Sequence, residues 1–230
     1  MHCAISQPCY LPWIGYFNLI NNVDTFVFLD DVEFSHQSWQ HRNKIIINKD
    51  SHLLTLPVKK NNFLIKDIEI DDSKNWRKKH HDTICQSYAK HPFILDVKKI
   101  IIIILNKEII NLSDLNTQII INLCHLLSIK TNFIFSSSLK IEGKRTEKLI
   151  KILNFLKCSN YISARGSKNY LESDCFEKNS KINLSFNKDD FPVYEQLNNT
   201  KNFISNLSII DIVANIGLDG LKKYLYNCRL

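Results

Sequence analysis

The sequence predicts an α/β fold: a mostly parallel sheet sandwiched by helices, with a small β-hairpin flap, in a single domain over residues 1–230. Three observations point there. Residues 3–31 read as strand, turn, helix and strand, the βαβ unit whose crossover joins parallel neighbours. Residues 25–29, Thr-Phe-Val-Phe-Leu, are β-branched, aromatic or aliphatic with no polar alternation, as in a strand buried on both faces. Residues 160–168 repeat that logic, a short apolar strand opening at its carboxyl end into a small-residue basic loop.

Taken in order, the first strand (3–6) runs into the Pro- and aromatic-rich turn Gln7-Pro8-Cys9-Tyr10, and a helix follows over 13–21. The second strand ends in Asp30-Asp31. Ligands of such units rest outside the carboxyl ends of the strands, so the turn and the aspartate pair are both expected at that edge. Residues 35–43 read as a polar, aromatic loop over it. Residues 44–48 and 52–58 form a hairpin about Asn48-Lys49-Asp50-Ser51, within a flap of residues 32–70. Residues 66–70 suggest one more short strand, and Ser73 is placed to cap a helix over 74–88 that Pro92 ends. Apolar helices follow over 93–105 and 115–127, although the isoleucines at 100–104 fit a buried strand equally well. After a strand at 133–135, the helix over 146–157 turns Leu149, Ile152, Leu153 and Leu156 inward. Strands at 160–163 and 181–186 complete the sheet. Ser208 and Asp211 suggest a capping box for the closing helix, which Gly217 stops.

Hydrophobic residues at 44% and charged residues at 23% suit a soluble globular chain. The formal charge of +7 comes from scattered lysines in an Asn-, Ile- and Lys-rich composition, yet leaves room for an anionic partner such as a nucleotide, a nucleotide-linked sugar or RNA. The seven cysteines include no CxxC, and all but Cys9 read as small core residues of a reducing compartment. Met1-His2 leads straight into the first strand with no signal peptide, and the most apolar window, 100–105, is too short to span a bilayer. A cytoplasmic location without membrane insertion is therefore expected.

Several clusters carry chemistry. Asp30 and Asp31 at a strand end suit a metal, a ribose hydroxyl or a base acting on an amine, against the plainer reading of solvated loop carboxylates. Trp39 and Arg42 offer a stacking face and a phosphate-binding fork, against a surface loop anchored by one Trp. His80 and His81 diverge by about 100° on a helix, and no i, i+4 histidine pair exists, so no metal site is expected; one of them suits a general base or a phosphate contact. Ser137 and Ser138, with Lys144-Arg145-Thr146, suit an anion-binding loop before a helix or a hydrated turn. Neither a P-loop nor GxGxxG occurs, which disfavours a kinase or a dinucleotide enzyme.

The string Ser6-Gln7-Pro8-Cys9-Tyr10-Leu11-Pro12-Trp13-Ile14-Gly15-Tyr16-Phe17, the stretch from Asp24 to Val32, Trp39 with Arg42-Asn43, and Leu54-Thr55-Leu56-Pro57-Val58 strongly resemble the WbqC-like protein family. Trp76 with Lys79-His80, Ser137-Ser138, Tyr161, Tyr170 and Ser208-Ile209-Ile210-Asp211 extend the likeness over nearly the whole chain. Members are associated with bacterial O-antigen and other surface-polysaccharide gene clusters. The resemblance implies a transferase that attaches an amino-acid or other acyl group to the amine of a nucleotide-linked amino sugar of dTDP or UDP type. The donor would be an activated acyl group, such as an aminoacyl-tRNA, or one needing ATP. Gln7, Tyr10 and Trp13 would line the pocket, Asp30 or Asp31 would serve the attacking amine, and Asn43 would supply a donor to the oxyanion. Trp39 and Arg42 would hold the base or diphosphate, and His80 would be a second acid or base. The alternatives are a non-catalytic sugar-nucleotide or RNA-binding accessory protein and a Mg-dependent nucleotidyltransferase. The opening unit also looks like the start of the nucleotidyltransferase fold, with residues 12–17 where an HxGH motif would stand. Two departures from the family pattern are His41 in place of Asn and Ala164-Arg165-Gly166 in place of an earlier Gly.

Overall fold

In the computed structural model, which describes residues 1–59, 63–197 and 202–229, β1 (His2–Ser6) and β2 (Thr25–Phe28) lie parallel, with Cys3 opposite Thr25 and Ser6 opposite Phe28. Between them runs α1 (Ile14–Asn21). The hairpin β3 (Arg42–Ile47) and β4 (Asp50–Thr55) turns through Asn48 and Lys49, both at positive φ, as a two-residue hairpin loop requires. Then come α2 (Trp76–Ser87), α3 (Ile94–Ile101) and α4 (Leu112–Leu126). The chain re-enters the sheet as β5 (Asn132–Phe135), followed by the one-turn α5 (Ser136–Leu139), α6 (Arg145–Phe155) and β6 (Asn160–Ser163). Two short helices, α7 (Lys168–Ser173) and α8 (Phe176–Asn179), precede β7 (Asn183–Phe186), and α9 (Ile209–Asn227) closes the chain. Five parallel strands take the order β5-β2-β1-β6-β7.

Strand alternation divides the core between the two faces. Ala4, Phe26, Phe28 and Ile162 pack with α1, α2, α3, α4 and α9, and Ile45, Leu54 and Leu56 of the hairpin region join the same cluster. Cys3, Ile5, Val27 and Tyr161 face the other way, onto Leu149, Ile152 and Leu153 of α6 with Leu171 and Phe176. A sheet covered on both faces accounts for the unbroken apolar strands. Among the described residues, no helix is long and apolar enough to cross a membrane.

The structure corrects several local expectations. Residues 66–70 are not a strand. Ile65–Asp67 form a 3₁₀ turn, with the Ile65 and Lys66 N–H groups donating to the Val32 and Asp30 carbonyls at 3.0 and 2.8 Å. Ser73 does not cap α2, because its hydroxyl is drawn to Asp71. Asn111 caps α4, accepting from the Ser113 and Asp114 amides at 2.8 and 3.3 Å. The isoleucine run is helical, ending in 3₁₀ form over Ile102–Leu105. Its stop comes from another helix. Arg77, 5% exposed, spends all five N–H groups, two on Asp72 and three on the carbonyls of Ile104, Asn106 and Ile109. Gly217 breaks α9 at φ 70, beneath the Phe93 ring, but the helix resumes beyond it.

Ser208 caps α9 by accepting from the Ile210 amide at 3.3 Å, but Asp211 does not complete a capping box. Fully buried, it accepts from Tyr88 Oη at 3.0 Å, Tyr194 Oη at 2.7 Å and Gln196 Nε2 at 3.0 Å. Burial raises its pKa above the usual carboxylate range. An amide nitrogen in that position would face donors it cannot accept from. Asp211→Asn should therefore lower unfolding free energy by about 1–3 kcal/mol, the cost of buried donors left unpaired. Urea denaturation measures this, and an unchanged midpoint would show that the three donors find other partners.

Candidate functional site

A turn that enters the interior must find partners for its carbonyls, and the turn after β1 finds nearly all of them in side chains. Tyr16 Oη donates to the Gln7 carbonyl at 3.0 Å, and Asn116 Nδ2 to Pro8 at 3.1 Å. Asn43 Nδ2 donates to Tyr10 and Leu11 at 3.1 and 2.8 Å, and Ser208 Oγ to Leu11 at 2.8 Å. Leu11 takes a left-handed conformation at φ 43. The turn thus carries Gln7 to the carboxyl edge of β1, between β2 and β6. From β1 the chain moves to β2 on one side and later returns to β6 on the other, so this edge is the topological switch point, where open parallel sheets hold their ligands.

A cleft of about 690 Å³ opens there. Gln7 from β1 and Asp31 and Glu33 beyond β2 line it, with Gly143, Lys144, Arg145 and Lys148 from the start of α6 and Tyr170 from α7. Lys148 Nζ lies 2.8 Å from Asp31 Oδ2, with their side chains only 8% and 14% exposed, and it also donates to the Asp31 carbonyl at 3.3 Å. Arg145 forks onto Asp174 through Nε and Nη2, both at 3.1 Å. Gly143 has φ 146, and a Cβ there would come within 3.2 Å of the Lys148 backbone, so only glycine lets the loop lie this close to α6.

The residues singled out from sequence divide into separate groups. Asp30, 3% exposed, lies behind the cleft wall, accepting at Oδ1 from Ser136 Oγ (3.0 Å) and the Ser137 amide (2.9 Å) and at Oδ2 from Ser137 Oγ (2.7 Å). It ties the end of β2 to the turn beyond β5. The Ser136 hydroxyl also lies within reach of Asp31 Oδ1. Ser138 is exposed and donates to the Phe135 carbonyl at 2.7 Å. Gln7 Oε1 accepts from Gln40 Nε2 at 2.7 Å, which buttresses the loop over the edge. Trp39 is 49% exposed, with Lys44 Nζ 5.8 Å from its ring. Arg42 on β3 donates to the Gln37 carbonyl, and Asn43 is consumed in holding the turn. Trp13 lines a different cavity, against the edge of Phe191. Cys9, which donates to the Gln7 carbonyl at 3.4 Å, is pushed up to about 12 by burial and stays a thiol. Among the described residues, no group of three or more His, Cys, Asp or Glu side chains is placed to hold a metal ion. Lys148 escaped the sequence reading, although a lysine beside the apolar stripe Leu149, Ile152, Leu153 in a first helical turn was the signal for it.

Tyr10 and His80 meet away from the cleft. Tyr10 is fully buried, and its hydroxyl lies 2.9 Å from His80 Nδ1. This pairing suits a neutral imidazole accepting from the phenol, and burial lowers the His80 pKa from 6.5 to about 4. The unfolded chain therefore binds the proton first as pH falls. Stability conferred by neutral His80 is complete above pH 6.5 and drains away towards pH 4, by about 3 kcal/mol for this group alone. Urea midpoints stepped through that window should slope downward on the acid side, and His80→Gln should flatten the slope. His41 and His91, also lowered by burial, would account for any slope that the variant retains.

Comparison with known proteins adds a family and a relative. The model of the WbqC-like protein family matches residues 7–223. The chain is 29% identical over 229 residues to the uncharacterized protein Rv1507c of Mycobacterium tuberculosis (strain ATCC 25618 / H37Rv), covering 98% of each chain. No solved structure matches.

Proposed function

The chain belongs to the WbqC-like protein family, and on that premise we propose that it is a transferase of bacterial surface-polysaccharide (O-antigen) biosynthesis, attaching an amino-acid or other acyl group to the amine of a nucleotide-linked amino sugar. The supporting observation is the cleft at the switch point, where a carboxylate on one wall, Asp31, shares the space with the cationic start of α6. Lys144 and Arg145 suit the diphosphate of a dTDP- or UDP-linked sugar, since a guanidinium fork that already grips the Asp174 carboxylate matches phosphate oxygens as well. Tyr170 offers a ring face to the base or sugar, and the Gln7 amide a polar contact. In the reaction the neutral amine attacks the acyl carbonyl, the new C–N bond replaces the bond to the donor's leaving group, and the amine proton passes to Asp31. A proton acceptor within hydrogen-bond reach is what such an attack requires. Lys148 fixes the carboxylate against the wall. The donor is an activated acyl compound, an aminoacyl-tRNA or an acyl group activated with ATP.

One observation favours a second reading. Both oxygens of Asp30 are engaged, and Asp31 is shared between Ser136 and Lys148. Carboxylates held this firmly also suit a non-catalytic accessory protein that only binds a sugar nucleotide.

Titration calorimetry with UDP- and dTDP-linked amino sugars, followed by mass spectrometry of mixtures containing each donor class, separates the two. Under the first reading Lys144→Ala and Arg145→Ala each weaken binding roughly tenfold, the scale of one charged hydrogen bond. Asp31→Asn keeps binding and lowers turnover by about 10²-fold or more. Binding with no product from any donor selects the accessory role. Affinity unchanged in the Lys144→Ala/Arg145→Ala double variant removes the cleft from consideration.

A further inference from the structure

Beyond β7 the chain folds back over the start of α1 and encloses a second cavity, of about 240 Å³, which shares no lining residue with the cleft. Five aromatic side chains line it: Trp13, Phe191, Tyr194, Phe203 and Tyr224. They meet edge to face, Trp13 with Phe191 at 5.5 Å and 88°, Tyr194 with Phe203 at 5.1 Å and 88°. In each edge-to-face pair one ring presents only its edge to the other, so the pair covers no more than one ring face. Trp13 is held in place from below, because its six-membered ring lies over Gly15, where a Cβ would come within 2.3 Å of Cζ2.

The charge of the lining runs against that of the protein. In a chain of net charge +7, the only charged residues lining this cavity, among the described residues, are Asp189 and Asp190. Asp189 pairs with Arg165 at 2.7 Å, and Asp190 has no cationic partner among the described residues. Ring faces attract cations through their quadrupole, and a carboxylate at the mouth adds to that attraction. A bare metal ion would find too few oxygen ligands among the rings, and a neutral apolar guest would leave the Asp190 carboxylate without a partner. We propose that this cavity binds a small organic ammonium ion, an amine carried on an apolar group of a few carbons. The proposal stands whether or not the cleft takes a sugar nucleotide.

Three tryptophans make the test direct. In protein labelled with 5-fluorotryptophan, Trp13→Phe assigns the Trp13 resonance, and isoamylamine is titrated in parallel with isoamyl alcohol, its neutral counterpart. The Trp13 signal should move saturably with the amine, while those of Trp39 and Trp76 stay in place and the alcohol has no effect. Asp190→Asn should weaken the amine roughly threefold, the scale of one partly exposed ion pair. Phe191→Leu, which keeps an apolar wall without a ring face, should weaken it by about threefold or more. A Trp13 resonance unmoved by the amine, or moved equally by amine and alcohol, overturns the proposal. So does an Asp190→Asn variant that binds the amine as tightly as the native chain.

Discussion

Everything at the carboxyl edge depends on satisfying the backbone of one buried turn. Residues 7–12 leave β1 pointing into the interior, where an unpaired carbonyl would cost on the order of 1–3 kcal/mol. The partners come from four places far apart in sequence: Tyr16 on α1, Asn43 on β3, Asn116 on α4 and Ser208 at the start of α9. Because each is bonded to the same short stretch, the hairpin and two helices are fixed relative to β1 and hence to the cleft. The prolines reduce the problem, since neither brings an N–H that needs an acceptor. The string over residues 7–12 is therefore as much a packing instruction as a chemical one.

What could be read from the sequence follows from how local each signal was. The apolar strands, the helix between the first two and the hairpin about Asn48-Lys49 rest on patterns a few residues long, and they stand where expected. So does the placing of Gln7 and Asp31 at one edge. The expectations that failed depended on distant partners. Residues 66–70 had a strand's composition, but the Lys66 amide donates to Asp30 at the exit of β2, those of Asp67 and Ile68 stay within the 3₁₀ turn, and that of Ile70 goes to Ile110. Ser73 and Asp211 had cap-like spacing, but each found a stronger bond outside the helix end. Likewise Tyr10, Trp13 and Asn43 are spent on packing, on a separate cavity and on the turn. Sequence spacing shows which side chains are present at an edge; it does not show which have already been claimed.

Asp30, Asp31 and Asp211 illustrate how environment separates identical chemistry. Asp211 meets only neutral donors, and desolvation dominates its titration. Asp30 is caged by serine hydroxyls and an amide. Asp31 alone has a cation against it, and it alone lines open space. An ion pair so poorly exposed contributes little net stability once desolvation is counted, so its placement beside a cleft fits a functional cause better than a structural one.

The stop of the isoleucine-rich helix has a different consequence. Arg77 touches only main-chain oxygens in the segment it terminates, at Ile104, Asn106 and Ile109. Side chains at the exposed positions 105–108 and 110 can be exchanged without disturbing the bond, whereas lysine at position 77, with three hydrogens on one nitrogen, has no way to serve four groups spread around a planar fork. One arginine thus frees a neighbouring stretch of chain to drift in composition while its path through space is kept.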